Sequence, residues 1–162
     1  MTKNDFYELV MEAYTPAETL IGMVPADKLE WRPGPNFMTL GQVIEHISHG
    51  LGDDVRCLIS NRWPFTPEQM VEGMKLENMP ACSVQEALAR IGQDRNGLRE
   101  VLDGVSEKEF TEKVVSTPWG WSGKLEIILV LFREHFTNHK MQLFTYLKLL
   151  GLPVNTETLY GG

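Results

Sequence analysis

Cysteine and histidine are both scarce in this chain: 162 residues contain two cysteines and four histidines. Cys57 and Cys82 form no CxxC pair, so no disulfide framework is indicated. Both are expected to be reduced thiols of a cytoplasmic protein. Positive charge is short as well. Fifteen Lys and Arg against 22 Asp and Glu leave a formal net charge of −7. A nucleic-acid partner would want a basic face, and so would an anionic lipid surface. Neither partner is expected. No apolar run reaches the length of about 18 residues that marks a membrane span. The N-terminal stretch MTKNDFYELVMEAY places Asp and Glu where a secretion signal needs an apolar core. Alternating apolar and polar residues are missing too, so no strand is expected. There is no internal repeat, no low-complexity tract and no linker, which points to one domain over residues 1–162.

What the chain does have is helical periodicity. Phe6, Leu9, Val10, Ala13, Ala17, Leu20, Ile21 and Val24 recur at helical spacing and predict a first helix over residues 3–24. Pro16 either kinks it or shifts its start. A loop follows over 25–38. Thr39 and Gln42 fit a capping box that opens a second helix over 40–61. A short helix is expected near 67–74. Ser83 and Glu86 repeat the capping pattern before a third long helix over 84–103, which Gly104 stops. Residues 105–121 hold a short helical turn and then a TPWGW loop. The last helix is expected over 122–150, with Ser122 as its cap and Gly151 and Pro153 closing it. The tail VNTETLYGG has no periodicity. Four long amphipathic helices predict an all-α fold, a four-helix bundle. The long connections at 25–38 and 62–82 allow crossovers in it.

The last helix carries the anomaly. At 100° per residue, Ile128, Leu131, His135, His139, Gln142, Tyr146 and Leu149 fall on one stripe. Two imidazoles one turn apart thus sit in a face that ought to be buried. An unsatisfied buried polar group costs about 1–3 kcal/mol, so both rings need partners or an ion. The other two histidines, His46 and His49, lie in the second helix. His46 is on the flank of its apolar stripe and His49 is a further 60° or so away from it. Facing helices of a bundle supply metal ligands inward, and imidazole is the commonest ligand. His46, His135 and His139 therefore make a candidate three-nitrogen site. It has an open position, as catalytic divalent sites have. His49 is placed in solvent, behind the ligands as a supporting group, or at the mouth, with a four-histidine site left open. Imidazole suits Zn²⁺ or Ni²⁺ better than Mg²⁺ or Ca²⁺. Phe136 follows His135, so the Glu of an HExxH peptidase is absent. Glu45, Asp53 and Asp54 are read as a solvated face, with Asp53 as the alternative orienting partner of His46. Cys57 is read as a packed thiol, about 16 Å along a continuous helix from His46. Trp31, Trp119 and Trp121 are expected to pack their loops onto the core.

Two runs resemble a known family. MTLGQVIEHISH is similar to the second-helix motif of the DinB/YfiT-like metalloenzyme superfamily, with His46 at the family's histidine position. REHFTNHKMQLFTYLKLLGLP resembles its last-helix motif HxxxHxxQ, with His135, His139 and Gln142 in place, followed by Tyr146, Leu147 and Gly151. Lys148 stands where Arg is usual, and Lys140 follows the second histidine where Arg is frequent. The RPGP loop and the tryptophan-containing loop before the last helix also fit. The resemblance implies a four-helix bundle, commonly a homodimer, with one zinc or nickel ion on His46, His135 and His139. It implies a small-molecule substrate and, in some relatives, a low-molecular-weight thiol as cosubstrate. The activities it suggests are S-transfer, isomerisation and hydrolysis, and no catalytic side chain beyond the ligands is carried over. The alternative is a non-catalytic, metal-binding or stress-response helical dimer.

Overall fold

The computed structural model describes residues 1–161 and is mostly helical. Helix α1 spans Lys3–Gly22 and is opened by a capping box between Thr2 and Asp5. It runs through Pro16, so the proline neither ends the helix nor shifts its start. The ring lies on the buried side, beside Ala13, Tyr14 and Ala17. A 3₁₀ turn at Ala26–Lys28 follows. The loop then folds back, because the Leu40 and Gly41 amides donate to the carbonyls of Trp31 and Leu29.

The expected second helix is two helices. Helix α2 spans Leu40–Ser48 and has the expected Thr39–Gln42 capping box. Helix α3 spans Gly52–Ser60. Between them Gly50 adopts φ +61°, a conformation that glycine reaches without steric cost. The break has a partner from another part of the chain. Asp94 accepts the amides of Leu51, Gly52 and Asp53 at 2.9, 2.9 and 3.1 Å, and it accepts the Tyr14 hydroxyl. A Cβ on Gly52 would lie 2.6 Å from the Asp94 carboxylate. The start of α3 is thus capped by a side chain 42 positions away, a partner that a search for local caps does not see.

Helix α4 spans Pro67–Gly73, close to the expected short helix. Helix α5 spans Val84–Asp103 with its Ser83–Glu86 box. Helix α6 spans Glu107–Glu112. A hairpin follows where no strand was expected: β1 at Val114–Ser116 pairs antiparallel with β2 at Ser122–Lys124, Val115 opposite Gly123. Three-residue strands are too short to show alternation. The Trp121 amide donates to Thr117 Oγ1 at 3.0 Å across the turn. Ser122 lies in that strand, so it does not cap the last helix. Helix α7 spans Leu125–Leu149, and no side chain caps its start. The tail, expected to be irregular, forms α8 at Thr156–Tyr160 behind an Asn155 cap. Buried Lys140 holds it there, donating to the Leu159 carbonyl at 2.8 Å.

Helices α1, α2, α3, α5 and α7 pack on one another through pairwise contacts. Their shared core contains Phe6, Tyr14, Leu20, Ile44, Leu98 and Leu129. Among the described residues no helix is long and apolar enough to cross a membrane.

Candidate metal centre

Helix α2 projects His46 toward α7, and α7 projects His135 and His139 back. One nitrogen from each ring lies within 4.8 Å of the others. The Nε2 atoms of His46 and His135 are 3.0 Å apart. The rings meet edge-on, with the centroids of His46 and His139 4.3 Å apart. The 89-residue separation of His46 and His135 is closed by packing of α2 on α7.

The stripe on α7 differs from its sequence reading. Phe132, Phe136, Leu143 and Leu147 are buried, whereas Leu149 is 62% exposed. His135 and His139 lie at the edge of the buried face, not within it. Burial and the neighbouring His139 and His135 rings push the His46 pKa down to about 4. Burial likewise lowers His135 and His139. All three are therefore neutral at pH 7, which leaves a lone pair on each ring. His139 Nδ1 donates to Gln142 Oε1 at 2.9 Å, since a neutral amide oxygen only accepts. Its Nε2 lone pair is then free. Gln142 in turn donates to the Tyr146 hydroxyl at 3.1 Å, and Trp31 stacks edge-on against Tyr146. The order His139, Gln142, Tyr146 fixes a ring in the way that ligating histidines are usually fixed.

Nitrogens on a tetrahedral zinc at about 2.0–2.1 Å stand about 3.3 Å apart. Three neutral imidazole nitrogens, all within 4.8 Å and two of them 3.0 Å apart, suit a divalent d-block ion. His49 stands outside this group. Its Nε2 is 2.9 Å from Glu45 Oε1.

Glu45 corrects the solvated-face reading. It is 7% exposed and is bonded by Arg90, which also donates to Ser48 Oγ at 3.0 Å. Burial would raise the Glu45 pKa, but hydrogen bonds from Arg90, Cys82 and His49 outweigh it and hold the carboxyl below its usual range. Asp53 is exposed and pairs loosely with Arg56 at 3.8 Å. It has no hydrogen bond to His46 among the described residues, so the alternative reading of Asp53 as orienting partner of His46 gains no support.

A cavity of about 500 Å³ opens beside the three histidines. Trp63, Phe65, Phe132 and Phe136 supply its apolar wall, and Asp54 and Cys57 its other side. Cys57 was reckoned about 16 Å from His46 along one helix, but the break at Gly50 removes the basis of that distance. Trp119 packs against both Trp63 and Phe132, at 5.1 and 5.7 Å between centroids, so Trp119, like Trp31, packs onto the core as expected, whereas Trp121 is 41% exposed. The sequence reading missed Trp63, Phe65 and Asp54 as lining residues. No local pattern marks them. The orienting role of Gln142 was not assigned from the sequence either, although its place three residues after His139 on one helix face is a signal that could have found it.

Asp54 is half-buried, and burial with the nearby Asp94 and Asp53 raises its pKa to about 7. An unfolded Asp titrates near 3.9. Below about pH 4 both states are protonated and the shift has no effect. Above about pH 7 both are ionised and the folded state bears the full penalty. Asp54→Asn is therefore expected to stabilise metal-stripped protein increasingly from pH 5 to pH 8, by roughly 1–4 kcal/mol at the upper end. Urea midpoints of the two proteins across that range check it; a gain independent of pH counts against it.

A model of the DinB superfamily matches residues 12–141. A DinB-like protein from Bacillus cereus ATCC 10987 superposes with a TM-score of 0.74 at 16% identity, covering 95% of this chain and 96% of its own. A DinB-family structure from Exiguobacterium sibiricum 255-15 gives 0.70 at 18% identity, with 96% of each chain covered. At these identities the likeness is one of fold. No curated protein matches the chain. The family match spans His46, His135 and His139, helix α2 and most of α7, and the chain belongs to the DinB superfamily.

Proposed function

We propose that the protein is a metal-dependent enzyme acting on a small molecule, with His46, His135 and His139 as ligands of one zinc or nickel ion. The convergence of these three neutral nitrogens beside an open cavity carries the reading. A structural or storage site would be closed by a fourth protein ligand, and no such ligand joins the group among the described residues. When bound, the ion supplies Lewis acidity at the cavity floor and lowers the pKa of a group placed there.

The chain's own residues supply the rest. Gln142 holds the proton on His139 Nδ1 and fixes that ring. Trp63, Phe65, Phe132 and Phe136 give the cavity an apolar lining for the body of the substrate. Cys57 is pushed up by burial and by Asp54, so at neutral pH it stays a thiol, which is a weak nucleophile. The nucleophile then comes from outside, as water in a hydrolase or a low-molecular-weight thiol in an S-transferase. The packing of α1, α2 with α3, α5 and α7 supports a four-helix bundle in one domain, with the second helix broken. A homodimer in the cytoplasm completes the reading.

Protein titrated with Zn²⁺ or Ni²⁺ is expected to retain about one ion per chain, as an open three-ligand site requires. It is expected to stay folded when EDTA removes the ion, because a chain of this length has its own core. Elemental analysis after dialysis and far-UV circular dichroism check both points. No retained metal refutes the metal reading, and unfolding with EDTA refutes a purely functional role.

A further inference from the structure

The charge of the cavity beside the histidines is as informative as its shape. Among the described residues no lysine or arginine lines it, whereas Asp53 and Asp54 both do. Asp53 is exposed and has Arg56 near it. Asp54 is half-buried, and among the described residues it has neither a salt bridge nor a hydrogen bond to its carboxylate. Other buried acids of this protein are well provided for. Glu45 has Arg90 and His49, and Asp94 has three amides and a hydroxyl. A half-buried carboxylate with no donor is costly to ionise, and a cation brought into the cavity would remove that cost. Four aromatic residues, Trp63, Phe65, Phe132 and Phe136, share the same lining, and aromatic rings favour apolar rings and tolerate cations.

We propose that this cavity takes a small molecule with an apolar, preferably aromatic, body and a positively charged amine seated at Asp54. The proposal rests on the metalloenzyme reading only for where reaction occurs, not for which molecule binds. In metal-free protein, small anionic molecules would meet Asp53 and Asp54 with no lysine or arginine among the described residues of the cavity lining to offset them.

Three probes of similar size separate charge from shape: 2-phenylethylamine, 2-phenylethanol and 3-phenylpropionate. Their affinities are read by quenching of tryptophan fluorescence and by calorimetry, in both EDTA-stripped and Zn²⁺-loaded protein. The amine is expected to bind about tenfold or more tightly than the alcohol, as for one charge-assisted contact, with the carboxylate weakest. Asp54→Asn is expected to abolish the preference of amine over alcohol, while Asp103→Asn, outside the cavity, leaves it intact. Equal binding of amine and alcohol to wild-type protein overturns the proposal, as does an unchanged preference in Asp54→Asn. The wild-type comparison stands even if the variant folds poorly. Failure of the metalloenzyme reading would appear separately, as absence of bound Zn²⁺ with the amine preference still present in stripped protein.

Discussion

His135→Ala is expected to weaken divalent-metal binding by about 100-fold or more, because it removes one of three nitrogens that share the whole affinity of the site. His46→Ala and His139→Ala should lose comparable amounts. Gln142→Leu should lose less, about 10–100-fold, the usual cost of removing a group that orients a ligating histidine. His49→Ala should change affinity by less than about tenfold, since its Nε2 is bonded to Glu45 and it stands apart from the convergent group. The series is measured by competition with a chromophoric chelator. Its ordering is the test. Equal losses from His135→Ala and His49→Ala would put His49 among the ligands, and no loss from His135→Ala would remove the site altogether.

Asp94→Ala is expected to destabilise the protein by about 3 kcal/mol, near the upper end for a single substitution outside the apolar core. The carboxylate accepts the amides of Leu51, Gly52 and Asp53 and the hydroxyl of Tyr14. Removing it leaves donors unpaired at a half-buried helix start, at about 1–3 kcal/mol for each one that water does not reach. Burial raises the Asp94 pKa while these donors lower it, and burial is the larger effect. Asp94→Asn separates charge from hydrogen bonding. Its one carbonyl oxygen can replace Oδ2, which accepts Leu51 and Gly52, but its amide group would face the Asp53 amide, which donates to Oδ1. Its loss should therefore be smaller, about 1 kcal/mol. Denaturant unfolding of the three proteins checks the order. If Asp94→Ala costs under about 0.5 kcal/mol, Gly50 alone makes the break. In the folded fraction, metal affinity should hold nearly constant, because His46 lies on α2, before the break, and packs on α7.

The helices were legible wherever their signals were local. Thr39 with Gln42 and Ser83 with Glu86 marked the starts of α2 and α5 within four residues of chain, and both boxes form. Regular spacing of apolar side chains told the core face of α1, because a helix repeats every 3.6 residues whatever it packs against. The pairing of His135 with His139 was legible for the same reason, and so was the misfit of His49. The break after α2 was not. The apolar stripe from Leu40 to Leu58 continues in the sequence as though the helix were whole, and the group that stops it is Asp94, on α5. The hairpin was hidden because three-residue strands carry no pattern. Leu149 sat on a stripe that predicted burial, yet it is 62% exposed while Tyr146 and Leu147 on the same helix are buried.

The sequence by itself determined the helical class, the two histidine clusters and the family, because each rests on spacing along one chain segment. Tertiary structure brought His46 to His135 and His139, and it alone decided that Glu45 is buried against Arg90 and that Trp63, Phe65 and Asp54 share a cavity with the three histidines. Those facts depend on which helix faces cross and where α2 ends. A hydrogen bond between groups 42 residues apart fixes that end, and no local period encodes it.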